Sequence, residues 1–180
     1  MRNFGKHLLS CWLWLLISEL LCLILAFSFA ILRPEWIRWV SMICGITAHI
    51  LLMGSCAGKL AHKDIVCYRT ERKAIPIIQP VLLGIGTAIP LWLLWGILKY
   101  LSDSSAMLNV FLLCNAPYIQ LHRVIINGAD TFSAVSDLRK ILMLLPPVCT
   151  AGAVGLGYLF RYLPEKAAID AKQIRSESLE

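Results

Sequence analysis

Charge is scarce in this sequence: Asp, Glu, Lys and Arg make up 16% of its 180 residues, against roughly 25% in ordinary globular chains. With 58% hydrophobic residues and a mean hydropathy of +0.71, a soluble fold could not cover its apolar surface. The motifs of soluble catalysis are also missing. There is no Walker A loop, GxSxG elbow, HExxH or paired-aspartate motif, which argues against nucleotide-driven chemistry within the chain. The seven cysteines (Cys11, Cys22, Cys44, Cys56, Cys67, Cys114 and Cys149) are odd in number and form no CxxC. That pattern suits neither a disulfide framework nor a zinc site; six of the seven lie in apolar runs and read as small packing residues. No metal or cofactor is expected.

What is present is long apolar runs. A helix needs about 20 apolar residues to cross the hydrocarbon core. Residues 8–32, 36–58, 74–98, 106–126 and 131–160 are such runs. The expectation is an all-α, polytopic bundle of five transmembrane helices, or four if one run fails to cross. Residues 1–180 form one transmembrane domain, with a loop at 59–73 and a charged tail at 161–180. The first run resembles a signal peptide in its basic start, but at 25 residues with Glu19 inside it exceeds a signal core of roughly 7–15 residues. It is read as a retained span.

The net charge of +6 comes from short basic clusters between the runs. No basic face interleaved with stacking aromatics occurs, so nucleic acid is not an expected partner. The partner is the lipid bilayer, with another membrane subunit or a homodimer as further possibilities. Lys59, Lys63, Arg69, Arg72 and Lys73 fall within 15 residues, and such a cluster belongs on the cytoplasmic side. The N-terminus is then cytoplasmic, in a multi-pass protein of the cell membrane. Five spans put 10 basic residues inside and four put 11, out of 17. Charge alone therefore does not choose the span count. The turn at Ser102–Ser105 favours five.

Glu19 is the acid within a span, at a cost of about 2.5–3.5 kcal/mol on insertion scales. His49 lies at the same depth on the next, antiparallel run, so the two are expected to pair. The fourth run carries a polar stripe of Asn109, Asn115, Gln120 and Arg123 that reads as the wall of a polar pathway, with Pro117 kinking it. Gly54 and Gly58, with Ala151 and Gly155, have the small-xxx-small spacing of close helix packing. Asn127-Gly128 reads as a turn, with the last helix starting near Asp130 or Thr131.

His49 and Cys56 share a helix face seven residues apart, and an imidazole beside a thiol can act as base and nucleophile. This spacing is similar to the His–Cys pair of the accessory gene regulator B membrane peptidases, small multi-span proteins that process signalling peptides. The similarity covers this pair alone, and the apolar surroundings from Cys44 to Leu51 depart from that family's. It implies a membrane peptidase using His49 and Cys56. The expected functions are otherwise a non-catalytic membrane subunit or small transport component, or a structural or interaction membrane protein.

Overall fold

The computed structural model describes residues 3–31, 34–71, 74–100 and 104–177. Among these, 87% are helical and none is in a strand. The elements are α1 (Phe4–Ala30), α2 (Glu35–Glu71), α3 (Ile78–Tyr100), α4 (Ser105–Leu113), a 3₁₀ turn (Ala116–Tyr118), α5 (Ile119–Ile126), α6 (Asp137–Leu142) and α7 (Leu145–Glu177). The stretches Phe4–Ala30, Trp36–Glu71, Ile78–Tyr100 and Asp137–Arg175 are long and apolar enough to cross a membrane. The protein is an all-α bundle with four such helices. The segment expected as a fifth span is broken in its middle.

The break follows from Pro117. A proline has no N–H and its ring crowds the carbonyl four residues back, so an α-helix cannot run through it without compensation. The last α-type bond of α4 is Cys114 N–H to Val110 O; Asn115 N–H then turns to Leu112 O at 3.2 Å. The Phe111 carbonyl, left without its backbone donor, accepts instead from the Asn115 side-chain amide at 2.9 Å. Asn127, at φ 52°, and Gly128, at φ 81°, then end α5 in left-handed conformations, the usual way to stop a helix.

The two short helices form a hairpin. α4 packs on α3, the 3₁₀ turn on α1 and α2, and α5 on α2 and α6. The tip meets α1 at Glu19, halfway along that helix. The return arm reaches a cavity bordered by Ala30, at the end of α1. The hairpin thus enters from the end where α1 and α3 finish and returns to that end. At nine and eight residues, or about 12–14 Å each, its arms cover half a bilayer core. The expected turn at Ser102–Ser105 falls partly on residues 101–103, outside the described ones.

Two further boundaries differ from expectation. The expected loop at 59–73 is helix as far as Glu71, with residues 72 and 73 outside the described ones. Its polar composition hid a helical stripe of Ala57, Leu60, Ala61, Ile65 and Tyr68, all buried. The stripe meets Tyr158, Tyr162 and Ile169 of α7, whose 33 residues likewise carry the expected tail as helix. Residues 129–136 are irregular rather than helical. α6 starts at Asp137 behind Ser136, and α7 starts afresh with Pro146 and Pro147 in its first turn, where proline is tolerated.

α7 lies between α2 and α3 on small residues. A Cβ on Gly157 would lie 2.6 Å from the Gly54 Cα, and one on Gly58 would be 3.7 Å from the Gly157 carbonyl oxygen. On its other side, a Cβ on Gly84 would collide with the Ala151 carbonyl, and Gly155 lies against that of Pro80. The small-xxx-small residues, Gly54 and Gly58 with Ala151 and Gly155, therefore serve contacts within this chain.

Candidate functional site at the hairpin tip

The tip assembles from residues of α1, α2 and the 3₁₀ turn. Glu19 projects from the middle of α1. Its Oε2 accepts a hydrogen bond from the Ala116 N–H at 2.8 Å, a donor freed by the break between α4 and the 3₁₀ turn. Gly45 on α2 makes room for the turn, since a Cβ there would lie 3.1 Å from the Pro117 carbonyl oxygen. Cys22 donates its thiol to the Gly45 carbonyl one turn from Glu19.

The expected pair of Glu19 and His49 does not form. His49 is fully buried and has both ring nitrogens engaged elsewhere. Nδ1 meets Ser18 Oγ at 2.8 Å and Nε2 meets Thr150 Oγ1 at 2.9 Å. The Thr150 hydroxyl already donates to the Pro146 carbonyl at 3.1 Å. It must then accept from Nε2–H, and in a neutral ring Nδ1 accepts from the Ser18 hydroxyl. Sequence depth was a fair guide to level, but Ser18 rather than its neighbour Glu19 faces α2. His49 ties α1, α2 and α7 together at mid-depth, with the Tyr118 ring edge-on at 5.5 Å.

The same bonds separate His49 from Cys56. Two helical turns lie between them, about 10.5 Å along the axis, and both imidazole nitrogens are occupied. The His–Cys arrangement is not assembled. Cys56 packs with Cys11 in the apolar core instead.

The polar stripe of the fourth run is split by the break. Asn115 is buried in the tip, Gln120 is half-buried, and Arg123 and Asn109 are exposed. Asn109 points outward instead of toward other helices, because α4 alone is too short to keep the register of one continuous stripe. Gln120 and Arg123 line a cavity of about 330 Å³ with Arg38 and Trp39. They also border a smaller one with Leu23 and Ala30. Both lie at the hairpin's open end. Arg123 is therefore at the opposite end of the bundle from Lys59 and Lys63.

Several buried polar atoms around the tip have no hydrogen-bond partner among the described residues. They are Glu19 Oε1, Asn115 Oδ1 and both ring nitrogens of His122. His122 is fully buried with its ring edge toward Phe111 at 5.1 Å. Each such atom costs roughly 1–3 kcal/mol. Native proteins carry few of them, and a local group calls for an explanation.

Toward the other end, Leu15, Met53, Ala57 and Val154 form a dry layer, each at most 5% exposed. Beyond it lies a second polar cluster that the sequence reading missed. Tyr158 donates to Asp64 Oδ2, and His7 Nδ1 is 3.4 Å from the same oxygen. All three side chains are buried. The signal was available in the spacing: His7, Cys11, Leu15, Ser18 and Cys22 form the buried stripe of α1, and Asp64 sits on the buried stripe of α2. Among the described residues no group of three or more His, Cys, Asp and Glu could hold a metal ion.

No protein-family model, curated protein or solved structure matches this chain. Its four helices long and apolar enough to span are those of a membrane protein in class.

Proposed function

We propose that this chain is a small transport component of the cell membrane, without catalysis of its own, in which the hairpin presents a proton site at mid-depth to one face. The observation carrying this reading is Glu19, an acid halfway through a span, holding the hairpin tip beside buried polar atoms that no described protein group satisfies. An anchor needs none of these. Leucine at 115 and 122 would insert at lower cost. Intramembrane acids and histidines of this kind mark proton relays. Glu19 Oε1 and a His122 nitrogen can accept a proton, and Asn115 Oδ1 can accept a hydrogen bond beside them.

The cavities bordered by Gln120 and Arg123 support access from the hairpin's open end. The layer of Leu15, Met53, Ala57 and Val154 would close the other. Any driving force would come from a gradient or from another membrane subunit. The apolar residues that α1 leaves exposed, including Leu13, Leu16 and Leu20, suit lipid or a partner helix. For orientation, the end bearing Lys59 and Lys63 holds eight of the described basic residues against five at the other. The positive-inside rule then makes that end, with both termini, cytoplasmic.

Liposomes containing the purified protein and a trapped pH-sensitive dye test the reading. A potassium diffusion potential set with valinomycin should drive proton movement above that of protein-free liposomes. Glu19→Gln should abolish it. Flux equal to protein-free liposomes, or flux unaltered in Glu19→Gln, would overturn the proposal.

A further inference from the structure

A second cavity lies at the opposite end of the bundle, on the face of α2 between α1 and α7. Its volume is about 630 Å³, and its lining includes Ser10 and Trp14 from α1, Ser55, Lys59 and Lys63 from α2, and Arg161 from α7. Lys59 and Lys63 are one turn apart and project from the same helix face. Lys59 sits over the Trp14 ring at 5.3 Å. Neither lysine has a carboxylate partner among the described residues. Arg161 pairs with Glu165, which also takes His62. The cavity therefore keeps a net positive charge with two hydroxyls beside it.

Its position selects the ligand. Trp14 is ten residues into α1, about 15 Å along its axis, so the cavity lies inside the bundle's end rather than on its tip. The α2 face continues from Lys59 through Ser55 to Leu51, which is 66% exposed. On the α1 side it is flanked by Leu13 and Ile17, also exposed. Charge thus gives way to an open apolar strip running toward mid-depth. A free anion would use the charge and leave the strip idle, whereas an anionic phospholipid uses both. Basic pockets between helices at the cytoplasmic side bind such headgroups.

We infer that this cavity is a binding site for one anionic phospholipid, its phosphate held by Lys59, Lys63 and Arg161 and an acyl chain lying along Leu51 toward the membrane centre. The inference does not depend on proton movement at the hairpin.

Native mass spectrometry of the full chain, delipidated and then offered phosphatidylglycerol or phosphatidylcholine, tests it. One phosphatidylglycerol per chain should be retained, and phosphatidylcholine should not. The double variant Lys59→Gln/Lys63→Gln should weaken retention about thirty-fold, from roughly five-fold per lysine near an anionic headgroup. Arg69→Gln/Lys172→Gln removes the same charge at the same end outside the cavity and should leave retention unchanged. Equal retention of the two lipids, or equal loss in both double variants, would overturn the inference. Displacement of phosphatidylglycerol by inorganic phosphate alone would show a free-anion site and would also overturn it.

Discussion

The two His residues buried at mid-depth have opposite surroundings. His49 sits in the continuous frame of α1, α2 and α7 with both nitrogens bonded. His122 sits in the broken hairpin with neither bonded among the described residues. Both are fully buried, so burial does not distinguish them. What does is whether a hydroxyl stands within reach of each ring. Three continuous helices bring hydroxyls to His49 from two sides. The hairpin arm holds His122 against the Phe111 ring. The buried histidine of the frame is satisfied, and that of the hairpin is not.

The contrast can be broken most severely in the frame. Gly157→Leu should force α7 off Gly54 and cost at least the roughly 1–3 kcal/mol typical of overpacking. Gly152→Ala, where a Cβ meets nothing within 4 Å, should be neutral or gain up to about 1 kcal/mol from helix propensity. Thermal unfolding in detergent compares them; equal melting temperatures would dissolve the seam.

His49→Leu should come next. It removes the ring nitrogens that bond the Ser18 and Thr150 hydroxyls, at about 1–3 kcal/mol. His122→Leu should leave stability unchanged or raise it while lowering proton flux. If the two variants unfold alike, the distinction between frame and hairpin fails.

Glu19 gives a finer test. Glu19→Leu removes the acceptor of the Ala116 N–H, at roughly 1–3 kcal/mol. Glu19→Gln retains an oxygen acceptor of similar shape and should cost less than about 1 kcal/mol. The same pair of variants separates support of the tip from proton movement, since both lack the acid. A Gln variant as unstable as the Leu variant would mean that the negative charge, not the oxygen, holds the turn.

The smallest effect is topological and leaves stability untouched. Cys67 is exposed at the basic end. A membrane-impermeant thiol reagent on intact cells should leave it unlabelled, and a fluorescent protein fused to the C-terminus should fold and emit. Labelling of Cys67 would reverse the orientation, whereas a dark reporter with Cys67 protected would restore a fifth crossing.

Much of the frame could be read from the residues. Apolar run length marked the four long helices, and small-residue spacing marked the face of α2 that meets α7 and the face of α7 that meets α3. The hairpin was harder to read. Residues 106–126 have the length and hydrophobicity of a span, and Pro117 alone reads as a kink. It was the Asn115 amide, capping its own helix at the Phe111 carbonyl, that turned the kink into a stop, and a local side-chain bond leaves no periodic trace. The extension of α2 was missed for the reverse reason: charges on its outer face masked a regular inner stripe. The partner of Glu19 was beyond any sequence argument, because it is a backbone N–H that exists only once the helix has broken.

The break has a consequence for threading. Each continuous crossing flips the side on which the rest of a chain emerges, and a hairpin that goes halfway and returns does not. Asn115 and Pro117 therefore set a parity. They decide that α7 runs antiparallel to α3, with its glycines facing the partners they fit and Tyr158 beside Asp64. With Asn115→Leu and Pro117→Ala together, residues 105–126 could run straight across. The chain would then deliver α7 upside down, its Gly157 at the level where Thr150 must meet His49. Two residues remote from the glycine seams thus determine whether those seams can form.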